Sequence, residues 1–464
     1  PADQAVGDGD TPRAAIAAGP AVELARGGDN LVVVQAANSR VTSTGDSNDV
    51  YQVANGTDYD IDDRVGGKDE VRFAASGNGQ KFTLQGKGIE FYTGSSYDDI
   101  VMGTAGADIY RSGGGNDQIT LGAGNDQAVA GGASQLDLGD GDDLAFLTEI
   151  GSRVTGGAGQ DAVFLTDAVK EAVSLTASAA PGEATLALSA AKPGEAPVSH
   201  LLGVEGVWLT AAADRVALAL DAAGSAPAIL DIQAVDTAAG DDVITSRASN
   251  VTISAEAGND SITIGSGDAG GPRVEGVVVV AGPGDDSVSV AGDASLRVEL
   301  NDGDDRISAS RQTAGSIEIA AVTGGGHKSI DLGTANAVFR LGSADSGELD
   351  VVDGRDRARA GHLLAFDFAN ESADRLVLTV SRDSSETLTC GIATVGGKLD
   401  LVLHTGDMRN SFICVGNEAY GIDAAAGLLS QQMASLGQRS ASVQLSALPP
   451  EMHAPLNLAA NPIA

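Results

Sequence analysis

Three nine-residue units follow one another without interruption in GTAGADIYR, SGGGNDQIT and LGAGNDQAV, at residues 103–111, 112–120 and 121–129. Each unit has a small-residue half that ends in an aspartate, and then a short stretch whose eighth position is apolar or aromatic. The pattern G-G-x-G-x-D-x-U-x, where U is apolar, is typical of parallel β-helices whose turns bind calcium. This stretch therefore predicts an all-β fold and a metal, but no activity.

The nonapeptide register extends on both sides of this stretch. Units begin at 94, 103, 112 and 121, a shortened unit covers 130–137, and further units begin at 138, 147 and 156. Units two apart should stack on the same side of a β-roll, so one side carries an aspartate at every coil and the other keeps only two. The predicted ligands of the first side are Asp108, Asp126, Asp143 and Asp161, and those of the second are Asp99 and Asp117.

A second block carries the same signature more loosely. It comprises TAAGDDVIT (237–245), AEAGNDSIT (255–263), AGPGDDSVS (281–289) and LNDGDDRIS (300–308). We interpret it as coils about two units long with a metal turn on one edge, and the longer interval between 255 and 281 as one coil with an excursion. The predicted ligands are Asp242, Asp260, Asp286 and Asp305.

Lys328 stands where the next aspartate belongs, in TGGGHKSID at 323–331. Two interpretations remain open from the sequence. A lysine could end the metal ladder electrostatically, or it could reflect sequence drift without a structural role.

The spacing suits calcium because glycines supply the positive φ angles that a tight turn needs. Calcium takes six to eight oxygen ligands, so two stacked turns are needed to supply carboxylates and backbone carbonyls. Aspartates stacked about 4.8 Å apart would repel one another without metal, and we expect several Ca²⁺ ions whose binding drives folding. The glycines predicted to form the turn backbone are Gly106, Gly115, Gly124, Gly141, Gly159, Gly240 and Gly258.

Composition narrows the partners. The 464 residues include 64 Asp and Glu against 28 Lys and Arg, for a net charge of −36. Such a surface repels a phosphate backbone, so we expect no nucleic-acid partner. The chain contains no apolar run of the length that spans a bilayer, and we expect no transmembrane segment.

We expect five segments along the chain. They are N-terminal capping or divergent β coils (1–93), the first repeat block (94–166), metal-poor β coils with loops (167–235), the second block (236–350) and a β-rich C-terminal domain (351–464) for capping, secretion or assembly. Weak echoes of the repeat lie near Asp49 and Asp69. One helix is predicted over 422–437, with Leu428, Met433 and Leu436 on one face.

The two cysteines, Cys390 and Cys414, lie in the C-terminal quarter. They could form one disulfide, as expected of an exported protein, or remain two buried thiols.

These motifs resemble the RTX (repeats-in-toxin, haemolysin-type) calcium-binding family, strongly over 94–164 and more loosely over 237–308. The segment that contains Asp367, Phe368, Asp374, Leu376 and Leu378 is similar to the element that follows RTX repeats in many members. The resemblance implies a right-handed parallel β-roll, secretion by a Gram-negative bacterium to the medium or cell surface, and folding in external calcium. Unlike the family pattern, the repeats are central, one edge has lost metal turns and the chain contains a pair of cysteines.

A search for catalytic motifs finds neither HExxH nor G-x-S-x-G, and the five histidines are scattered. The leading hypothesis is a non-enzymatic structural role in a surface layer, an extracellular matrix or filament, or as an adhesin. Its partner would be a copy of itself, a surface glycan or a host receptor. The alternatives are a polysaccharide lyase or epimerase, using residues such as Asp231, Arg247, Arg297 and Arg311, and a secreted effector.

Overall fold

The fold is known from a computed structural model. It describes residues 13–17, 21–24, 28–34, 39–53, 59–63, 67–73, 81–84, 88–177, 183–189, 197–219, 228–229, 231–265, 273–309, 315–320, 324–341, 345, 347–353, 363–368, 371–382, 388–394, 399–405, 411–415, 418–436 and 438–454. These residues fall into two compact units. Unit 1 lies within Pro1–Leu175 and Ala180–Thr210, and unit 2 within Thr176–Ala179 and Ala211–Ala464.

The strands are short because glycine-rich turns interrupt alternating sequences. In QITLGA (Gln118–Ala123), Ile119 and Leu121 point inward and are buried, whereas Gln118 and Thr120 face solvent. This period of two is the side-chain repeat of a β-strand with one buried face. Each coil therefore buries its apolar positions inside and leaves its polar positions outside.

Strands β1 to β21 belong to unit 1, except for the last two residues of β18. They are β1 (Arg13–Ala17), β2 (Ala21–Leu24), β3 (Asn30–Val34), β4 (Ser39–Ser43), β5 (Val50–Val53), β6 (Tyr59–Asp63), β7 (Glu70–Phe73), β8 (Lys81–Thr83), β9 (Phe91–Thr93), β10 (Ile100–Met102), β11 (Ile109–Arg111), β12 (Gln118–Ala123), β13 (Gln127–Ala130), β14 (Gln135–Asp140), β15 (Leu144–Leu147), β16 (Arg153–Ala158), β17 (Ala162–Leu165), β18 (Val173–Ala177), β19 (Glu183–Leu188), β20 (Val198–Leu202) and β21 (Gly206–Trp208).

Parallel pairing joins these strands into stacks. Sheet 1A contains β1, β3, β5, β7, β9, β11, β13, β15, β17 and β21. Sheet 1B contains β8, β10, β12, β14, β16 and β20, with β19 antiparallel to β20. Strands β2, β4 and β6 form a third parallel sheet in the first coils.

Unit 2 contains the remaining strands and the α-helix of the described residues. They are β22 (Arg215–Leu218), β23 (Ala228–Ile229), β24 (Ala234–Asp236), β25 (Val243–Ser246), β26 (Ala248–Ser249), β27 (Thr252–Ser254), β28 (Ser261–Gly265), β29 (Val274–Val280), β30 (Ser287–Ala291), β31 (Ala294–Glu299), β32 (Arg306–Ala309), β33 (Ser316–Ala320), β34 (His327–Asp331), β35 (Asn336–Arg340), β36 (Gly347–Asp353), β37 (Leu364–Asp367), β38 (Leu376–Arg382), β39 (Leu388–Thr394), β40 (Leu399–Thr405), β41 (Ser411–Val415), β42 (Glu418–Gly421), α1 (Ile422–Leu436), β43 (Ser440–Gln444) and β44 (His453–Ala454). Short 3₁₀ helices span Ala373–Arg375, Leu445–Ala447 and Pro450–Met452.

Two parallel sheets form unit 2, and both become antiparallel near the C-terminus. Sheet 2A contains β24, β27, β29, β31, β33, β35, β37 and β41, followed by antiparallel β42 and β44. Sheet 2B contains β22, β25, β28, β30, β32, β34, β36 and β40, followed by antiparallel β39, β38 and β43. The small pair β23 and β26 is parallel.

The register of the strands confirms the predicted stacking of units two apart. In sheet 1A, Ile109 pairs with Gln127, Gln127 with Leu144 and Leu144 with Ala162, so each strand stacks on the strand two units later. In sheet 2B, each strand that follows a predicted metal turn pairs with the strand that follows the next one, across the longer interval as well. The eighth position of the repeat points into the core, where the buried residues include Tyr110, Ile119, Val163, Ile244, Ile262, Val288 and Ile307.

The predicted helix is present, but its buried face differs from the prediction. Ile422, Ala425, Ala426, Leu429 and Met433 are buried, whereas Leu436 is 67% exposed and Leu428 is only half-buried. Positions 422, 425, 426, 429 and 433 follow the three- and four-residue spacing of one helical face, which places Leu428 off that face. Leu436 shares this spacing but is the last residue of the helix. No helix in the described residues is long and apolar enough to cross a membrane.

The disulfide considered for Cys390 and Cys414 is not formed. Both residues are buried thiols, Cys390 in β39 of sheet 2B and Cys414 in β41 of sheet 2A. Facing sheets pack about 10 Å apart, whereas a disulfide needs Cα atoms within roughly 7 Å. Burial raises the pKa of both thiols to about 12.

Candidate metal centre

Each predicted aspartate lies directly before a strand, where the turn delivers it to the edge of the coil. In unit 1, Asp108, Asp126, Asp143 and Asp161 precede strands of sheet 1A, and Asp99 and Asp117 precede strands of sheet 1B. In unit 2, Asp242, Asp260, Asp286 and Asp305 precede strands of sheet 2B. All ten carboxylates are buried. The structure thus aligns the predicted ligands into three ladders.

In eight of the ten ladder aspartates, Oδ1 accepts a backbone N–H from the preceding coil. The backbone N–H of Asp126 donates to Asp143 Oδ1 at 2.7 Å, and that of Asp143 donates to Asp161 Oδ1 at 3.0 Å. The ladder of unit 2 repeats the arrangement, with Asp242 N–H donating to Asp260 Oδ1 and Asp260 N–H to Asp286 Oδ1, both at 2.8 Å. These bonds hold successive turns at one spacing and leave the second oxygen of each carboxylate available.

That second oxygen is the feature that points to a cation. Seven ladder aspartates have a buried Oδ2 with no hydrogen-bond partner among the described residues: Asp117, Asp126, Asp143, Asp161, Asp242, Asp260 and Asp286. A buried charged oxygen without a partner is strongly destabilising. Because an unpartnered carboxylate oxygen recurs in successive coils, the arrangement fits a row of divalent cations.

Three predicted ligands already have partners. Both Asp99 oxygens accept bonds from the Ser95 hydroxyl, and Asp99 Oδ2 also accepts the Ser95 N–H. Asp108 Oδ2 accepts from the backbone and hydroxyl of Thr104, and Asp305 Oδ2 lies 2.7 Å from the ammonium of Lys328. Protein groups therefore provide partners for the first predicted aspartate (the first rung) of each ladder in unit 1 and for the last one in unit 2.

Lys328 stacks directly on Asp305, because the following Ser329 pairs with Arg306. Its side chain is 0% exposed, and Nζ donates to the carbonyl oxygens of Asn301 and Gly303 at 2.5 Å each. A carboxylate and two turn carbonyls are the oxygen types that calcium takes. The ammonium thus supplies a positive charge to the last carboxylate of the ladder, which favours the electrostatic interpretation of Lys328.

Most predicted turn glycines have backbone angles that other residues rarely adopt. Gly115, Gly124, Gly141, Gly159, Gly240 and Gly258 all have positive φ, and Gly106 is the exception. A Cβ added to Gly141 would lie 1.8 Å from the carbonyl oxygen of Gly124, and one added to Gly258 would lie 1.7 Å from that of Gly240. Turn carbonyls of successive coils therefore stack against glycine Cα atoms beside the carboxylate ladder, where they can complete an oxygen shell.

The model of a known family covers turns of both units. The RTX calcium-binding nonapeptide repeat, in four copies, matches residues 93–128 and 236–268. These two segments carry RTX calcium-binding repeats. Such repeats bind calcium, and they are typical of secreted bacterial proteins.

The chain is similar to the extracellular lipase LipA from Serratia marcescens, with 13% identity and a TM-score of 0.16 over 68% of this chain and 39% of the lipase. The chain thus spans well under half of that structure. No curated protein matches this chain.

Sequence reasoning missed a second, exposed ladder in the RTX turns. The residue before each ladder aspartate is usually Asn or Asp, and its Oδ1 accepts the N–H of the corresponding residue in the next coil. In the exposed ladder the later coil donates the N–H, whereas in the buried ladder the earlier coil donates it. Each turn is therefore bonded to both neighbouring coils. The acceptors include Asn48, Asp98, Asn116, Asn125, Asp142, Asp241, Asn259, Asp285 and Asp304.

Several acidic residues continue the ladders beyond the recognisable repeats. Asp214 N–H donates to Asp242 Oδ1 at 2.7 Å, and Asp161 N–H donates to Glu205 Oε2 at 2.8 Å. Glu90 and Asp69 extend the ladder of sheet 1A in the other direction, with Asp69 N–H donating to Glu90 Oε2 at 2.7 Å. Each of these acids lies two positions before a buried residue. This spacing remains recognisable in the sequence where the turn glycines of the repeat are absent.

Burial without metal raises the pKa of the ladder carboxyls. The pKa is about 7 for Asp117, Asp242 and Asp286, and about 6 for Asp126, Asp161 and Asp260. Desolvation is the main cause, neighbouring carboxylates add to it at several rungs, and the ladder N–H groups oppose it. Metal-free rungs therefore hold protons at a pH where isolated aspartates, with a pKa of about 3.9, are ionised.

We expect calcium affinity to fall as the pH falls through 7 to 6. In the metal-free fold these carboxyls have raised pKa values, so protonation stabilises that fold. The stabilisation is complete below about pH 4 and is lost as the pH rises through 6 to 7. Calcium must displace these protons. Calorimetric titration at pH 6.5 in two buffers of different ionisation enthalpy should show net proton release. Identical heats in both buffers would contradict this prediction.

We expect Gly141→Ala to weaken the fold and the calcium site, whereas Gly106→Ala should be nearly neutral. A left-handed φ costs a residue with Cβ about 1–2 kcal/mol, and the Gly124 carbonyl must also move. At Gly106 an added Cβ would meet only Thr104 Oγ1, at 3.8 Å. Thermal unfolding in calcium measures the difference. Equal melting temperatures for the two variants would show that the stacked carbonyls do not require glycine.

Proposed function

We propose that this chain is a secreted, calcium-dependent β-solenoid with a non-enzymatic structural role. It folds on calcium binding and then assembles with copies of itself in a surface layer, matrix or filament of a Gram-negative bacterium. Adhesion to a surface glycan or host receptor is a variant of the same role.

The observation that carries this proposal is the unbroken stacking of coils within each unit. Parallel pairing connects β1 to β21 through sheet 1A, and β24 to β41 through sheet 2A. A solenoid gains stability from contacts between neighbouring coils and behaves as a stiff element. Most of the described chain is used to build such stacks, as a structural protein requires.

The exposed ladder supports calcium-triggered assembly. Asp98, Asp142, Asp241, Asp285 and Asp304 lie exposed along the turns of a chain with a net charge of −36. Copies of such a surface repel one another at low ionic strength. Calcium bridging between exposed carboxylates removes the repulsion, because the ion accepts oxygen ligands from more than one source.

Negative-stain imaging and sedimentation of the purified protein, with and without millimolar calcium, test the proposal. We expect large ordered particles with calcium and small species with magnesium. The variant Asp241→Asn/Asp285→Asn/Asp304→Asn should bind ladder calcium and remain folded but assemble less, because Asn259 already serves as an acceptor in the same ladder. Folded monomers at all calcium concentrations would contradict self-assembly.

Two of the four residues considered for the enzymatic alternative give it no specific support. Arg297 is held in exposed ion pairs with Glu299 at 2.8 Å and Glu318 at 3.4 Å, and Arg311 lies outside the described residues. Solvent-exposed ion pairs of this kind are common on β-sheets. Cleavage of a uronate polymer by soluble monomers would favour the enzyme.

A further inference from the structure

We propose that Asp49, Asp63 and Asp69 form an additional calcium site in the N-terminal coils of unit 1. The site lies outside the residues matched by the RTX repeat model, which begin at 93. It also differs in construction from the ladder sites, because one of its carboxylates comes from the interior face of a strand.

The geometry of the three carboxylates suits a single ion. All three residues are buried, at 0%, 1% and 0% exposure, and one oxygen from each lies within 4.8 Å of the others. Calcium–oxygen distances of about 2.3–2.6 Å allow two ligands of one ion to be up to roughly 5 Å apart. The cluster therefore has the dimensions of a calcium shell.

Two unpartnered oxygens in this cluster indicate that a ligand is missing. Asp63 Oδ1 and Asp69 Oδ2 are buried and have no hydrogen-bond partner among the described residues. Their other oxygens are used, since Tyr51 donates its hydroxyl to Asp63 Oδ2 at 2.6 Å and Asp49 donates its N–H to Asp69 Oδ1 at 2.8 Å. Burying three carboxylates side by side is unfavourable unless a cation compensates their charge.

Asp63 is the residue that makes this site distinctive. It ends β6, pairs with Ser43 and faces inward, six residues before Asp69. In the RTX repeats the corresponding inward position before the turn is apolar, as at Leu121, five residues before Asp126. A carboxylate thus replaces a core side chain beside two ladder carboxylates.

The donor set favours calcium over a transition metal. The three carboxylates provide only oxygen ligands, which suit hard cations, whereas zinc and copper sites usually include nitrogen or sulfur ligands. Asp49 is already oriented by the hydroxyls of Ser43 at 3.1 Å and Ser47 at 3.2 Å. The cluster is therefore preorganised before any ion binds.

Counting bound ions in the full chain tests the site. Native mass spectrometry in calcium should find one ion fewer in Asp63→Asn than in the unmodified protein. The matched control is Asp60→Asn, which changes an exposed residue on the same strand that pairs with Arg40 at the surface. An unchanged ion count in folded Asp63→Asn would overturn the proposal.

Terbium luminescence provides a second measurement if Asp63→Asn does not fold. Tb³⁺ replacing calcium in this cluster would be sensitised by Tyr51, whose hydroxyl contacts Asp63. We expect Tyr51→Phe to reduce the emission excited through tyrosine and to leave the calcium count unchanged. Unaltered emission would contradict a site beside Tyr51. The ion count does not depend on assembly, so this site and the proposed structural role can fail separately.

Discussion

Removal of calcium by a chelator is expected to unfold the protein, with loss of its β-sheet circular dichroism and a lower sedimentation coefficient. Seven buried carboxylate oxygens of the ladders, four in unit 1 and three in unit 2, have no partner among the described residues. With calcium at about a hundred times its Kd, one site stabilises the fold by roughly 2.7 kcal/mol. Several such sites together exceed the ~5–15 kcal/mol by which most domains are stable.

The loss should be cooperative and specific for calcium. Each ladder aspartate bonds to the next coil, so one unoccupied rung disturbs two neighbouring turns. Magnesium should not restore the fold, because it requires a smaller octahedral shell and retains its water. Circular dichroism and sedimentation during titration of the chelated protein measure both effects. Unchanged spectra after chelation would show that the turns are stable without metal.

Replacing Lys328 by methionine is expected to destabilise unit 2 by about 3–5 kcal/mol, even in saturating calcium. The change removes the ammonium that lies 2.7 Å from Asp305 Oδ2 and leaves that buried carboxylate without its cation. It also removes the donor to the carbonyls of Asn301 and Gly303. Chemical denaturation of the calcium-loaded protein measures the loss, and the exposed Lys170→Met provides a matched control.

Lys328→Asp distinguishes charge replacement from simple packing. If the ammonium occupies a calcium position, an aspartate there should create another ladder rung, bind one additional ion and recover stability only in calcium. Equal stability of Lys328→Met and the unmodified protein would show that the buried pair contributes nothing. Destabilisation of Lys328→Asp at every calcium concentration would show that the lysine is not a substitute for the metal.

Much of this architecture could be predicted because the turns repeat. Glycines with positive φ mark where each coil reverses, and the aspartate marks the residue before each strand. The number of residues between successive ladder aspartates equals the number of residues between paired positions in adjacent strands. This agreement holds in both blocks and across the longer interval from Asp260 to Asp286. Local turn chemistry is encoded within a few residues, so the sequence alone determined the coils, the ladder aspartates and the metal.

Only the tertiary structure decided which groups meet between coils. Lys328 contacts Asn301 in the preceding coil, and Asp63 joins Asp49 and Asp69 from a position that is apolar in the repeats. Asp214 continues a ladder although no glycine turn precedes it in the sequence. These partners are brought together by stacking rather than by proximity along the chain. A short sequence pattern can therefore specify each turn, but it does not specify which group in the next coil compensates the charge of that turn's aspartate.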